Sequence, residues 1–217
     1  MKLPNARLDL TPKTAKGDRT RASLKAAARE VFSRQGFKNS RISDITAEAA
    51  LSSGSFYGYY ADKDAVCDEL LSDLLKDVVT FARDNWEPSD PTRSVLRTTE
   101  KYFTFYRDNR DLYKLLIEVA QHKDDVRAKW IQAREEFYQR ISRMLRRAQD
   151  QGLARTDINP DVAAKLLGGM TEYYAYMLYV EDHGSDLDIP TVAHEVTQLW
   201  GYGVFLPTTH GPRTKRG

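Results

Sequence analysis

The polar residues of this chain are badly placed for making bonds and well placed for holding a polyanion. Its four histidines, His122, His183, His194 and His210, lack the spacing from which a zinc site is built, so no metal is expected. Cys67 is the only cysteine, which rules out an intrachain disulfide, and no basic cluster beside it favours a thiolate. There is no glycine-rich phosphate loop, nucleophile elbow or HExxH motif. Paired acids such as Asp124-Asp125 and Glu135-Glu136 read as solvated helix charge. No catalytic residue, no cofactor and no enzymatic activity is therefore expected. What remains is a group of small polar, aromatic and basic residues between positions 40 and 63: Ser40-Arg41, Ser53-Gly54-Ser55, Tyr57-Gly58-Tyr59 and Lys63. Hydroxyls, charged nitrogens and backbone amides at helix starts are the groups that grip phosphate oxygens and base edges.

The flanking pattern supplies elements to position them. Leu24, Ala27, Ala28, Val31 and Phe32 form the stripe of an amphipathic helix beginning near Thr20. Gly36 is predicted to end it as a left-handed cap, with Phe37 folding back on the last turn. A short helix follows, capped by Ser40, with Ile42, Ile45 and Ala49 on one face. Ala50-Leu51-Ser52 makes a turn into a second short helix, Ser53 to Gly58, with Phe56 pointing inward. Asp62 then caps a long helix from Lys63 with Val66, Leu70, Leu74 and Val78 on its apolar face. Two short helices braced by a longer one form a helix-turn-helix, the second helix being small enough for a major groove about 12 Å wide.

Over about residues 20–70, the run Leu24, Ala27-Ala28, Phe32, Gly36, Ile42, Ile45, Ala49, Ser52, Gly54-Ser55-Phe56-Tyr57, Tyr59-Tyr60 and Lys63 resembles the N-terminal domain of TetR-family repressors. The resemblance implies a homodimer that binds a palindromic double-stranded DNA operator and is released by a small-molecule effector. It places Ser40 and Arg41 where the family contacts phosphate or base. Ser53, Gly54, Ser55 and Gly58 fall on the recognition helix, and Tyr57, Tyr59 and Lys63 at phosphate-clamping positions; Tyr60 is expected in the core. Three positions depart from the family's pattern. Ala50 replaces a usual turn glycine, Ser53 a common basic residue, and Gly58 a larger side chain. Without Arg or Lys on the recognition helix, readout falls to serine hydroxyls, backbone, Tyr57, Arg41 and the N-terminal arm.

The 217 residues carry a net charge of only +2, unevenly distributed. Residues 1–63 hold 12 Lys/Arg against 6 Asp/Glu, and the remainder 21 against 25, so the polyanion contact belongs at one end. The expected division is a flexible basic arm at 1–19, the helix-turn-helix domain at 20–65, a helical ligand-binding and dimerisation domain at 66–206, and a disordered tail at 207–217. Further helices are predicted near 91–108, 110–121, 123–150, 160–181 and 189–205. They are separated at Pro88 and Pro91, Asn109-Arg110, His122-Lys123, Gly152 with Pro160, and Gly184 with Pro190. No segment alternates as a strand does, so the class is all-α. The N-terminus lacks an apolar run suited to a signal peptide. Met170 to Val180 is too short and polar to span a bilayer, so a cytoplasmic protein without a membrane partner is expected.

Aromatic rows after residue 100 suggest a largely apolar effector site, with Tyr106, Trp130, Phe137 and Tyr174 as candidates and Arg134 as partner for an acidic group. Glu118 and Glu172 also stand near those rows. Gly168-Gly169 inside a helix costs roughly 1 kcal/mol per glycine, which points to a close helix approach or to contact with the ligand. In the resembled family the last two long helices form the dimer interface. Gly168, Tyr176, Val180, Val196, Trp200 and Val204 are the candidates here.

Overall fold

The computed structural model describes residues 14–81, 87, 89–183 and 187–205. Residues 1–13 of the expected arm, the tail at 207–217, His210 and the breaks at Pro88 and Gly184 lie outside the described residues. Among the described residues the regular structure is entirely helical: α1 (Ala15–Asn39), α2 (Ile42–Glu48), α3 (Ser53–Phe56), α4 (Lys63–Phe81), α5 (Pro91–Asp108), α6 (Arg110–Ala120), α7 (Asp124–Asp150), α8 (Pro160–Tyr179) and α9 (Ile189–Val204). None of these helices is long and apolar enough to cross a membrane.

Helix α1 begins five residues before the expected Thr20. Thr14 caps it, its hydroxyl accepting from Gly17 N at 3.1 Å, and Asp18 sits in the positively polarised first turn. Gly17 breaks nothing there, because amides of a first turn have no partner within the helix. The expected stripe from Leu24 to Phe32 is buried. Gly36 takes φ 77°, as a left-handed cap does, but with ψ 166°, so the chain leaves the helix extended. Phe37 folds back on Phe32 with ring centroids 5.5 Å apart.

Two local expectations shift. The residue flanking α2 is Arg41, not Ser40: the Arg41 amide donates to Asp44 Oδ2 at 2.9 Å, and that carboxylate also accepts from Gln35 Nε2 at 2.8 Å. The Gln35 hydrogen bond, then the Arg41 amide, holds the Asp44 carboxyl below its ordinary value. Ser40 is instead buried, with its hydroxyl donating to Phe37 O at 2.7 Å. Helix α3 ends at Phe56 rather than Gly58, since the amides of Tyr59 and Tyr60 both turn back to Phe56 O.

The α2–α3 turn holds Ala50 at φ 53°. Left-handed backbone costs an L-residue roughly 1–2 kcal/mol, part of which glycine gives back in unfolded-chain entropy. Ala50→Gly is expected to stabilise the protein by up to about 1 kcal/mol, a rise of about 2–4 °C in melting temperature at this size. A lower melting temperature would show that the turn carries no strain.

The chain divides into two compact units. One comprises residues up to Lys76 together with Asp111–Lys129; the other comprises Asp77–Arg110 and the chain from Trp130 onward. In the first, an ionic row stitches α1 to α4 and α6: Arg21 to Glu69 (2.6 Å), Lys25 to Asp73 (2.7 Å) and Arg29 bidentately to Asp111 (2.5 and 2.7 Å). Cys67 is fully buried in this unit, and burial pushes its thiol up to about 12. In the second, α5 packs against α8 and α9 through a face that includes Val95, Thr99, Tyr102, Phe103 and Tyr106. Caps at Asp90, Asn159 and Asp188, each just before or near a proline, start α5, α8 and α9.

Candidate nucleic-acid interface

Phe56, wholly buried and 5.6 Å from the Tyr60 ring, anchors α3 from within. Ser52 caps it, its hydroxyl accepting from Ser55 N at 3.3 Å. With the bulky side chain turned inward, Ser53, Gly54 and Gly58 are exposed on the outer side, Ser55 and Tyr59 are half-buried, and Tyr57 is 56% exposed. Between the flanking tyrosines, only backbone and small hydroxyls cover this surface, so a base pair can approach it closely. Arg41 is exposed one helix earlier.

Ser40 and Lys63 are held differently. The Lys63 ammonium donates to Phe37 O (2.6 Å), Ser40 O (2.8 Å) and Lys38 O (3.4 Å), and lies 4.5 Å from the Phe37 ring centroid. It ties the elbow between α1 and α2 to the start of α4. Facing the same elbow, Glu118 of α6 accepts from the amides of Phe37 and Lys38, both at 3.1 Å. The extended departure at Gly36 turns those two successive N–H groups outward together, a small anion nest filled by a carboxylate. Lys123 adds a cation 5.3 Å from the Phe37 ring and pairs with Asp64 and Asp68. Neither Glu118 nor Lys123 was expected at this elbow: they lie some 80 residues from it in sequence, beyond any local pattern.

Among the described residues, several basic side chains are engaged within the fold rather than left to a polyanion. Arg21, Lys25, Arg29 and Lys63 are engaged within the fold, and Arg34 pairs with Glu48 at 3.1 Å. Lys16, Arg19, Lys38 and Arg41 are exposed.

In the second unit, ring contacts link the expected effector residues. Phe137 stacks on Tyr102 at 5.9 Å, which meets Tyr106 at 5.9 Å, while Tyr174 packs on Phe103 at 6.3 Å. Arg134 lies 5.8 Å from the Trp130 ring centroid, and its Nε donates to Glu172 at 2.9 Å. It is thus not a cation waiting for an acid.

The expected interface residues also fall differently. A Cβ on Gly168 would stand 2.8 Å from Tyr138 Cε1, so the close approach inferred for this glycine is to α7 of the same chain. Val196, Trp200 and Val204 are buried within the protomer, and Tyr176 and Val180 are half-buried. Exposed apolar residues lie elsewhere on these helices: Val162, Leu166, Met170 and Tyr173 run down one side of α8, and Leu199 and Tyr202 stand out on α9. Leu166 is 68% exposed.

Comparison with known proteins places these features in a family. The family model described as bacterial regulatory proteins, tetR family, matches residues 24–70, and a tetracyclin repressor-like C-terminal domain matches residues 90–176. The HTH-type transcriptional regulator YdgC of Bacillus subtilis is 27% identical over 199 residues, covering 88% of this chain and 95% of its own. The HTH-type transcriptional repressor DhaR of a Mycobacterium species is 25% identical, covering 73% and 82%. Among solved structures, a TetR-family regulator from Mesorhizobium loti has a TM-score of 0.66 at 17% identity, covering 89% of this chain and all of that one. SmeT, the repressor of a Stenotrophomonas maltophilia efflux pump, solved in complex with triclosan, has a TM-score of 0.68 at 18% identity, covering 90% and 96%.

Proposed function

The chain belongs to the TetR family of bacterial transcriptional regulators, a family of DNA-binding proteins rather than enzymes, and from that premise we propose that it is a cytoplasmic repressor that binds a palindromic operator as a homodimer and releases it when a small, largely apolar effector binds. The observation that carries the reading is the outer side of α3, stripped to Ser53, Gly54 and Gly58 while Phe56 locks the helix from behind. A four-residue helix reads few base pairs, so two copies related by a two-fold axis are needed, with half-sites about 34–36 Å apart. The exposed apolar row of α8, with Leu199 and Tyr202 of α9, supplies a surface for pairing two copies. The aromatic cluster of the second unit suits an apolar effector, and two relatives support the pairing of these roles: DhaR is a repressor, and SmeT was solved with triclosan.

On this reading Ser53, Gly54, Ser55 and Gly58 face bases, and Arg41, Tyr57 and Tyr59 face phosphates. Ser40 and Lys63 act from behind by fixing the elbow that aims α2. The test is a gel-shift titration of the purified protein against fragments of the source genome and against random duplex. One fragment is expected to bind selectively, with affinity falling about 10³-fold or more between about 50 and 200 mM salt if six or more phosphates are contacted. Equal affinity for all fragments and random DNA would overturn the reading.

A further inference from the structure

Glu172 of α8 and Arg134 of α7 form an ion pair whose partners are unequally enclosed. The Glu172 side chain is 17% exposed and that of Arg134 is 44% exposed. Both hydrogen bonds to the carboxylate land on one oxygen, Oε2: Arg134 Nε donates at 2.9 Å and the Tyr138 hydroxyl at 3.0 Å. The guanidinium carbon lies 5.8 Å from the Trp130 ring centroid and 6.0 Å from that of Tyr138. Behind it the rings continue inward, Tyr138 to Phe137, Phe137 to Tyr102 and Tyr102 to Tyr106. The Tyr106 phenol is pushed up, first by burial and then by the negative charge of Glu172, so the field of this carboxylate reaches into the cluster.

We propose that the effector is an apolar cation, an amine or amidine on an aromatic or aliphatic body, that displaces the Arg134 guanidinium from Glu172 and takes its place against the Trp130 and Tyr138 rings. The inference rests on the proposed ligand response of this unit and specifies its chemistry. The argument is one of asymmetry. An acidic effector drawn to Arg134 takes the guanidinium from Glu172, leaving an enclosed carboxylate with the Tyr138 hydroxyl alone. A cationic effector sends the more exposed partner, Arg134, into water, where a guanidinium is well solvated, and leaves Glu172 paired. The aromatic faces that now border the guanidinium then serve the incoming cation. The side chain of Arg134 is in this sense an internal ligand that marks both the position and the charge of the external one. The proposed charge is the opposite of the acidic group expected as partner for Arg134 from the sequence.

Three probes with one apolar body separate the possibilities: phenylbutylamine, phenylbutanol and phenylbutyrate, titrated calorimetrically into the full-length protein. The amine is expected to bind at least about tenfold more tightly than the alcohol, the scale of one charge-assisted hydrogen bond, and the acid more weakly than both. Glu172→Gln is expected to cancel the preference for the amine. Arg134→Gln is expected to strengthen amine binding, since the internal competitor is gone. Equal binding of amine and alcohol, tighter binding of the acid, or no binding of any probe in the millimolar range overturns the proposal. Should Glu172→Gln fail to fold, Arg134→Gln decides alone: unchanged or weaker amine binding overturns it. A parallel gel shift separates this inference from the regulatory reading. Amine binding that leaves operator affinity unchanged upholds the ligand class and sinks the effector role. Operator release by the alcohol or the acid with no amine binding does the reverse.

Discussion

If the exposed row of α8 pairs two copies as proposed, Leu166→Asp is expected to leave the protein a monomer and to abolish measurable operator binding. Leu166 is 68% exposed in the protomer, so the substitution leaves the chain's own core untouched. In a two-fold interface the change occurs twice. Each copy forces an unpaired carboxylate into an apolar contact at a cost of about 2–3 kcal/mol or more, which together weakens association by about 10³-fold or more. A monomer presents one α3 to one half-site, and selectivity built on two is lost. Light scattering at micromolar concentration reads the first effect and gel shift the second, with circular dichroism confirming an intact fold. If the variant remains a dimer with full affinity, this row is not the interface. The contrast is Trp200→Asp, which strikes a residue buried inside the protomer and is expected to unfold it rather than dissociate it.

Glu118→Ala should have the second large effect. It empties the nest at Gly36 and strands the Phe37 and Lys38 amides beside the Lys63 ammonium. Two hydrogen bonds to a charged acceptor are worth about 1.5–3 kcal/mol each, discounted here because Glu118 is only half-buried. A net loss of about 2–4 kcal/mol corresponds to a fall of about 5–15 °C in melting temperature. Operator affinity should fall with it, since the elbow sets where α2 begins. Glu118→Gln, which keeps an acceptor oxygen, should lie between the two. A variant that melts and binds as the parent does would show that water replaces the carboxylate without loss.

The ends of α5, α8 and α9 were legible because their signals are local. A side-chain cap followed within two residues by proline starts a helix regardless of what it packs against. Helix α1 starts before the expected Thr20 because Thr14 caps it and Gly17, at the third helical position, disrupts nothing. The recognition helix was found by residue type and spacing. Its length was overestimated because Tyr57-Gly58-Tyr59 closes as a turn onto Phe56 O. The apolar faces of α8 were harder. A periodicity of 3.6 groups Gly168 with its neighbours but does not say whether that side meets its own α7 or a second protomer. In the protomer, Gly168 faces Tyr138 of α7. Arg134 with Glu172, and Glu118 with the α1–α2 elbow, join residues 38 and 80 or more apart, where no spacing rule operates.

The grouping of Asp111–Lys129 with the residues up to Lys76 has a consequence for anyone who would exchange operator preferences between relatives. The reader is not a cassette freed by one cut. A chimera spliced after α4 would give Arg29 a foreign α6 in place of Asp111, and would give the Phe37 and Lys38 amides whatever stands in place of Glu118. A graft that keeps its aim must carry two pieces, the first through Lys76 and the second from Asp111 to Lys129, and leave α5 of the host between them.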